Sequence, residues 1–367
     1  MGGPVPVPAP GPASWRASRP VEVPANASRF MPTRDQALGQ DLAAVRLAWS
    51  DDDPYVFNQD FDDALIAHDD SYCTSVVDLD QVVQVPTAAY FEREVLPHTV
   101  AAPRVVDIGC GRGEFVGFLR GRGLDAVGFD PVLRERTEHL RDEYWTPGTP
   151  GGAADVFVMR CVLPHIDRPW DFLRRIGEAC PGALVLVEFQ RLEWILEESV
   201  WYQLSHDHVN VFSARDFADR LTVEAQGTFA NGEWAWVLVR AGSERPVTAR
   251  SCDVAPAVET LLDAREDTVR RAAARDRPLA LWGAAGKGIV LAHALVGGGA
   301  DLRWAIDADP LRHGLFLECS GVPVLSVDDA LREVPGGTTV LVCNPNHLPS
   351  IRERYGDRWH LALPRDL

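Results

Sequence analysis

One short stretch decides the fold of this chain: Val105-Val106-Asp107-Ile108-Gly109-Cys110-Gly111-Arg112-Gly113. An apolar run ends at an aspartate, and three glycines at alternate positions precede a helical pattern that begins at Glu114. Glycine lets a backbone turn sharply and approach a ligand closely, so the stretch is typical of a strand-to-helix turn. Its G-x-G-x-G spacing differs from the phosphate-binding G-x-G-x-x-G, which makes a nicotinamide or flavin site the weaker interpretation.

Beyond this turn, apolar runs alternate with helical patterns, which predicts a parallel sheet covered by helices on both faces. The predicted strands lie at 104–108, 124–129, 154–160 and 183–188, and the predicted helices at 114–122, 133–141 and 169–179. Two later apolar runs, 221–225 and 234–239, predict an antiparallel edge. A second βαβ pattern begins at Leu279 and predicts another, smaller sheet.

The predicted organisation has four parts. Residues 1–32 form a disordered Pro-rich tail, because Pro, Gly and Ala alone cannot bury a core. Residues 33–100 form a mostly helical segment, 101–241 an α/β domain with the glycine turn, and 254–367 a smaller Rossmann-like α/β domain.

Composition excludes some partners. The net charge of −17 disfavours a phosphate backbone, so we expect no nucleic acid as partner. No apolar run is long enough to cross a bilayer, and we expect a cytoplasmic monomer or homodimer. The seven cysteines include no C-x-x-C pair, which favours reduced thiols over a zinc knuckle.

A second aspartate extends the candidate site around the turn. Gly128-Phe129-Asp130 ends the next apolar run, and an acid about 20 residues after such glycines can accept from both hydroxyls of a ribose. Asp107 is placed to accept from a cationic amino group. A glycine turn alone could belong to any doubly wound protein, but the added Asp130 makes the motif resemble class I S-adenosylmethionine-dependent methyltransferases over roughly residues 103–240.

The resemblance implies S-adenosyl-L-methionine as the cofactor. It also implies that Arg160-Cys161-Val162-Leu163-Pro164-His165-Ile166 is similar to a V-L-x-H-I segment that borders the methionine end, with His165 facing the acceptor or merely starting a helix. The predicted cofactor-binding residues are Asp107, Gly109, Cys110, Gly111, Gly113, Asp130, Pro131, Arg160 and Cys161.

Further segments resemble the sugar C-methyltransferases of antibiotic biosynthesis, which act on thymidine-diphosphate keto-deoxysugars. They are Ser205-His206-Asp207-His208 with Phe212-Ser213 (similar to Y-H-E-H-x-x-x-F-S), Gly283-Ala284-Ala285-Gly286-Lys287-Gly288, Asp307-Ala308-Asp309-Pro310, Asn344-Pro345-Asn346 and Asp70-Ser71-Tyr72. Two departures stand out. The family's N-terminal zinc domain has no cysteines here to build it, so 34–68 is its possible metal-free remnant. In addition, Ser205 and Asp207 replace a tyrosine and a glutamate.

These segments predict the chemistry at the acceptor. Carbon methylation needs a base beside a carbonyl and a donor for the enolate oxygen. We expect His208 to be the base, Asp207 or His206 to orient it, and Tyr72 and His165 to donate. A metal pair formed by the two histidines, or a plain polar turn, are the alternatives, and we expect no metal.

The expected acceptor contacts are Ser205, Lys287 and Asn344. Lys287 is the only lysine of the chain and lies in a Gly-rich turn, where a compact cation suits a phosphate or carboxylate. A surface lysine or an interdomain contact is the plainer interpretation.

The sequence thus predicts a small-molecule methyltransferase of specialised metabolism that forms a C–methyl bond. O- or N-methylation of a natural-product scaffold is a rival within enzymes, and it fits Ser205. A rival of another class is a non-catalytic cofactor-binding interaction module.

Overall fold

The computed structural model describes residues 15–50, 55–66, 85–133, 137–247 and 254–367. Short N-terminal strands come first along the chain, and an irregular helical stretch leads into the first large sheet. The strands are β1 (Trp15–Ala17), β2 (Val21–Pro24), β3 (Phe30–Met31), β4 (Leu42–Val45), β5 (Leu47–Ser50) and β6 (Val56–Asn58). The helices are α1 (Arg34–Leu38) and α2 (Val85–Tyr90), with a π-helical turn at Phe91–Val95 and 3-10 turns at Asp63–Leu65 and Leu96–His98.

The central region alternates strands with helices, as the apolar pattern predicts. Its strands are β7 (Arg104–Ile108), β8 (Asp125–Phe129), β9 (Leu140–Arg141), β10 (Val156–Arg160), β11 (Leu184–Gln190), β12 (Asn210–Val211), β13 (Thr222–Phe229) and β14 (Trp234–Arg240). Its helices are α3 (Glu114–Gly121), α4 (Pro169–Ala179), α5 (Leu192–Glu197) and α6 (Ala214–Arg220), with 3-10 turns at Leu163–His165, Trp201–Gln203 and Ala230–Gly232.

Seven of these strands form one sheet in the order β13-β14-β11-β10-β7-β8-β9. Strands β9, β8, β7, β10 and β11 run parallel, and β14 and β13 add the predicted antiparallel edge. Alternate residues face opposite sides, so Val105 and Val106 enter two separate buried clusters. Since β7 lies between β8 and β10, the order reverses there, and ligands bind at the carboxyl ends beside such a reversal.

The C-terminal region builds a second, wholly parallel sheet in the order β18-β16-β15-β19-β20. Its elements are α7 (Ala255–Ala273), β15 (Leu279–Trp282), α8 (Lys287–Gly297), β16 (Leu302–Ile306), β17 (Phe316–Leu317), β18 (Val324–Leu325), α9 (Val327–Glu333), β19 (Thr339–Val342), α10 (Leu348–Tyr355) and β20 (His360–Ala362), with 3-10 turns at Pro310–Arg312, Pro345–His347 and Pro364–Asp366. The prediction of a Rossmann-like domain followed by a smaller α/β region is confirmed.

The N-terminal strands join the two regions. Strands β1, β5 and β6 form a sheet with β12, β3 pairs with β17, and β2 pairs with β4. One buried cluster contains Val45 and Trp49 from these strands, Trp201 from the central region and Leu291 from α8. Contact with the two larger regions buries the apolar side chains of these short strands, which the strands could not bury on their own.

Three expectations about local structure are wrong. Residues 15–31, expected in a disordered tail, form β1 to β3, and residues 42–50 and 56–58, expected in a mostly helical segment, are largely strands. Long-range pairing with β12 and β17 decides both cases, and composition does not reveal it. Of the helix expected over 133–141, Leu140 and Arg141 form strand β9 instead, because Leu140 pairs with Gly128 in the sheet.

Candidate functional site

The glycine turn begins where β7 ends, and its glycines adopt conformations that other residues avoid. Gly109, Gly111 and Gly113 have φ angles of 70°, 56° and 79°. A Cβ added to Gly109 would meet the Val162 side chain at 2.3 Å, so this position is closed to other residues. A Cβ on Gly111 would meet nothing within 4 Å, which leaves open space beside the exposed turn.

Asp107 is the buried acid of the turn. Only 1% of the residue is exposed, and neither carboxylate oxygen has a hydrogen-bond partner among the described residues. Burial raises the pKa of this carboxyl to about 6, while Arg160, with Nη2 3.5 Å from Asp107 Oδ2, acts in the opposite direction. A buried acid without a donor is costly unless a ligand completes it.

Asp130 fastens the turn from the neighbouring strand. Its Oδ2 accepts from the Gly111 N–H at 2.9 Å, and its Oδ1 accepts from the Val132 N–H at 2.8 Å, across Pro131. The carboxylate therefore lies at the open side of Gly111, where each oxygen still has lone pairs for a hydroxyl donor.

The remaining predicted cofactor residues line the ends of β7 and β10. Arg160 lies over the Phe115 ring, with its guanidinium carbon 4.7 Å from the centroid. Cys161 adopts a φ of 58°, its N–H donates to Glu188 O, and burial raises the pKa of its thiol to about 12. Cys110 is buried as well, and burial raises its thiol pKa. Both thiols are therefore neutral packing groups rather than nucleophiles.

A second cluster lies across the 3-10 turn that follows β10. His165 Nδ1–H donates to Asp207 O at 2.8 Å, and its ring meets the His208 ring with centroids 4.5 Å apart. Ser205 Oγ donates to Asp207 Oδ1 at 2.6 Å. The structure thus brings together His165, Ser205, Asp207 and His208, which the sequence separates by up to 43 positions.

Within this cluster, the pKa of His208 departs from its ordinary value. Burial and the nearby His165 and Lys287 charges lower the pKa of its imidazole to about 4, although Asp207 acts in the opposite direction. The ring is therefore neutral near pH 7 and can accept a proton.

His206 does not join the cluster, which corrects its expected catalytic role. The ring is fully buried, its Nδ1–H donates to Ala44 O at 2.8 Å, and its Nε2 accepts from the Asp62 N–H at 3.0 Å. Both ring nitrogens are thus occupied by the N-terminal segment. Spacing i, i+2 suggests one shared direction only in a regular strand, and the loop here turns the two histidines apart.

Three groups of this cluster could hold a metal ion. One ligand atom from each of His165, Asp207 and His208 lies within 4.8 Å of the others. The metal pair predicted as an alternative from the sequence was His206 with His208; in the structure His206 is absent from this set, and His165 and Asp207 join His208.

Lys287 and Asn344 were expected to contact the acceptor, and the structure places both against Glu233. Lys287 Nζ lies 2.5 Å from Glu233 Oε1, and Asn344 Nδ2 donates to Glu233 Oε2 at 3.0 Å. A free phosphate-binding cation does not fit this contact, because a buried carboxylate already neutralises the ammonium. The plainer interpretation, an interdomain contact, agrees with it.

A pocket beside His208 contains residues that sequence reasoning did not single out. Gln190 ends β11, Gln203 lies in the 3-10 turn before Ser205, and both line the pocket with Val45 and Leu47 among its walls. Gln203 Nε2 donates to Gln190 Oε1, and Gln203 Oε1 is buried without a partner among the described residues. The position of Gln190 near the end of a predicted strand is the only feature of the sequence that could have pointed to this pocket.

Tyr72, the remaining predicted catalytic residue, lies outside the described residues. None of the described helices is long and apolar enough to cross a membrane.

The turn, its acids and the second cluster all lie in one matched segment. Residues 87–226 match the family model described as "Methyltransferase domain". This segment is similar to methyltransferase domains. It contains the glycine turn, Asp130, His165 and Ser205 to His208, and it ends before α7, so the C-terminal sheet is outside the match.

Solved structures with a similar fold include several methyltransferases. A SAM dependent methyltransferase from Archaeoglobus fulgidus is 12% identical, with 44% of this chain and 97% of that chain covered and a TM-score of 0.33. Magnesium protoporphyrin IX methyltransferase from Synechocystis PCC 6803 with bound SAH is 11% identical, with 46% and 90% covered and a TM-score of 0.33. The CcbJ methyltransferase from Streptomyces caelestis is 13% identical, with 42% and 90% covered and a TM-score of 0.31. None of the curated proteins matches the chain.

Proposed function

We propose that this protein is an S-adenosylmethionine-dependent methyltransferase that methylates a small-molecule acceptor in natural-product biosynthesis. The observation that carries the proposal is Asp107, whose two buried carboxylate oxygens lack hydrogen-bond partners inside a matched methyltransferase domain. A cationic amino group would complete this acid, and the open space at Gly111 beside Asp130 suits a ribose.

In this proposal each group of the turn has one task. Asp107 binds the ammonium group of the methionine moiety, Asp130 accepts from the ribose hydroxyls, and Arg160 balances the charge of Asp107. When bound, the cofactor supplies a methyl group that its sulfonium already activates. The protein then contributes mainly alignment of the acceptor with that methyl group.

The acceptor is methylated on carbon next to a carbonyl. His208, neutral at physiological pH, removes the proton from that carbon onto an imidazole nitrogen. Asp207 lies beside the two histidines and stabilises the imidazolium that results, while Ser205 fixes the Asp207 carboxylate by donating to Oδ1. His165 lies beside His208 with its Nδ1–H donated to Asp207 O, so it can donate to the enolate oxygen only when Nε2 carries a proton as well.

O- or N-methylation is the second candidate, and Ser205 favours it. The Ser205 hydroxyl is bound to Asp207, so it offers the acceptor no strong donor of the kind a C-methylation site needs at an enolate oxygen. A hydroxyl or amine acceptor would need only His208 as base. The position of the new methyl group, read by carbon NMR of the product, separates the two candidates.

Calorimetric titration with S-adenosylmethionine tests the cofactor assignment. We expect Asp130→Ala to weaken binding by about 10- to 100-fold, since it removes both the ribose contact and the Gly111 anchor, at about 1.4 kcal/mol per tenfold. Asp125→Ala is the matched control, because Asp125 begins the same strand at its opposite, exposed end. Unchanged affinity in Asp130→Ala would remove the ribose assignment.

Turnover tests the reaction. Incubation with S-adenosylmethionine and a panel of nucleotide sugars and scaffold intermediates should give one product heavier by a methyl group. Binding of the cofactor without turnover on any acceptor class would favour the non-catalytic module.

A further inference from the structure

The pocket beside His208 contains a buried amide oxygen that no described residue satisfies. Gln203 ends the 3-10 turn Trp201–Gln203, and only 9% of it is exposed. Its Nε2 donates to Gln190 Oε1, which fixes the orientation of the amide, whereas its Oε1 accepts no hydrogen bond among the described residues. Because a buried carbonyl oxygen without a donor costs free energy, this position suits a donor that a ligand brings.

The other amide and hydroxyl side chains that line the described pocket are already hydrogen-bonded to the protein. Ser205 Oγ donates to Asp207 Oδ1 at 2.6 Å. Asn210 Oδ1 accepts from the Tyr55 hydroxyl, and its Nδ2 donates to backbone carbonyl oxygens at 3.1 and 2.8 Å. The missing hydrogen bond of this part of the pocket is therefore the one at Gln203 Oε1.

The walls around Gln203 are apolar, and they come from the N-terminal strands as well as from the central region. Val45 ends β4 and Leu47 begins β5, and the two residues are 3% and 2% exposed. Ile195 of α5 and Val211 of β12 complete this side of the pocket. None of the described lining residues is a lysine, arginine, aspartate or glutamate. A charged group would therefore lose its hydration here without meeting an opposite charge in the walls.

The same pocket lies against the cluster at which we propose that the acceptor reacts. Ser205 and His208 belong to both, and Pro164, which precedes His165, lines the pocket as well. Gln203 is only two positions before Ser205 in the chain. A group that is hydrogen-bonded to Gln203 would therefore lie beside the proposed base, where a fixed orientation of the acceptor contributes to the rate.

We propose that Gln203 is a specificity-determining residue for the acceptor, and that its Oε1 accepts a hydrogen bond from a neutral hydroxyl carried on a small apolar framework. The inference rests on the proposed methyl transfer at His208 and names the class of acceptor. An acceptor that lacks this hydroxyl leaves the Gln203 oxygen buried without a donor, and it binds less tightly for that reason. The N-terminal strands contribute to the same selection, because Val45 and Leu47 contact the apolar part.

Four rings of similar size test the pocket without the natural acceptor: cyclohexanol, cyclohexanone, cyclohexylammonium and cyclohexanecarboxylate. Cyclohexanol offers a donor, cyclohexanone offers only an acceptor, and the two ions carry opposite charges. Binding is followed by NMR in the full chain labelled with 15N-glutamine, and Gln190→Met and Gln203→Met assign the two side-chain amide signals. Gln226→Met is the matched control, because Gln226 is an exposed glutamine of β13 outside the pocket.

We expect cyclohexanol to shift the Gln203 signal and to bind about tenfold more tightly than cyclohexanone or either ion, as one buried hydrogen bond allows. In Gln203→Met, with binding read at Gln190, the preference for cyclohexanol over cyclohexanone should disappear, and thermal unfolding checks that the variant is folded. Gln226→Met should keep the wild-type preference. With an acceptor in hand, Gln203→Met should raise KM about tenfold and change kcat little, since the contact is made before and during the reaction.

The proposal is overturned if cyclohexanone or either ion binds the wild-type protein as tightly as cyclohexanol. It is also overturned if none of the rings shifts the Gln203 signal, or if folded Gln203→Met keeps the preference. Failure of the proposed function looks different: the preference for the hydroxyl then remains and depends on Gln203, but no acceptor of the panel gains a methyl group.

Discussion

Each of the two large sheets has a strand, β7 or β15, that is followed by a glycine turn, and the two turns share one hydrogen-bond arrangement. In the central region the Gly111 N–H donates to Asp130 Oδ2 at 2.9 Å, and in the C-terminal region the Ala284 N–H donates to Asp307 Oδ2 at 2.7 Å. In both, the acid ends the neighbouring parallel strand and fastens the turn. The hydrogen bond from the turn to the acid of the neighbouring strand is therefore the same in both sheets.

The surroundings of the two turns differ. Beside the first, Asp107 has no hydrogen-bond partner among the described residues, and Gly111 faces open space. Beside the second, Asp307 accepts from the Asp309 N–H and from Arg312, which is 4% exposed. Neither oxygen of Asp107 accepts a hydrogen bond from a described residue, whereas both oxygens of Asp307 accept hydrogen bonds from within the protein.

A glycine turn with a following acid therefore stabilises the fold in both regions, and of these two turns only the first lies beside a buried carboxylate with neither oxygen hydrogen-bonded to a described residue. The methyltransferase-domain match agrees with the distinction, because it includes the first turn and excludes the second. We therefore propose the first turn as the cofactor-binding turn and treat the second as structural support.

The largest effect should come from the cluster of His165, Ser205, Asp207 and His208, where we propose that the acceptor binds. We expect His208→Ala to lower turnover by about 10²- to 10⁴-fold, the usual contribution of a positioned base. Cofactor affinity measured by calorimetry should not change, since the glycine turn is intact. The exposed His360 provides the matched control as His360→Ala. Normal turnover in His208→Ala would move the reacting group elsewhere.

The next effect tests whether the second turn is structural. Arg312→Met leaves Asp307 and Asp309 buried without their cation, so we expect the free energy of unfolding to fall by about 3–5 kcal/mol in urea titrations. Arg303→Met, which breaks an exposed pair with Asp301, should leave the free energy of unfolding almost unchanged. Equal losses in both variants, or weaker cofactor binding in folded Arg312→Met, would contradict the distinction between the turns.

The smallest effect is a pH dependence of cofactor binding at the first turn. Burial raises the pKa of Asp107 to about 6 in the free protein, and a cationic amino group binds the ionised form better. Affinity should therefore level off above about pH 6 and fall about tenfold per pH unit below it.

Calorimetry between about pH 5 and about pH 8 measures this dependence. Asp107→Asn should bind weakly at every pH with a flat profile. A flat profile in the wild-type protein would mean that Asp107 does not contact the cation.

Much of the first turn could be predicted because its physics is local. Three features define this turn, and they lie within 26 residues of one another. They are the apolar run, the glycines that need positive φ and the acid at the end of the next apolar run, and each can be recognised in the sequence. The strand and helix alternation is similarly local, so the sheets were predictable while the irregular N-terminal strands were not.

The structure around the Ser205–His208 segment and Lys287 was predictable only in part. The Ser205–His208 segment was found, but the direction of each side chain was not, because His206 is turned away by contacts with Ala44 and Asp62 more than 140 positions earlier. The role of Lys287 depended in the same way on Glu233, which no spacing connects to it.

By itself, therefore, the sequence determined the Rossmann-like architecture, the glycine turn and the acids Asp107 and Asp130, since short-range backbone geometry dictates them. Only the tertiary structure decided which polar groups stay unpaired, which histidine of the Ser205–His208 segment meets His165 and what Lys287 binds. Those outcomes depend on burial and on partners distant in the chain, and charge pairing in a buried interface is a property of the whole packing rather than of any motif.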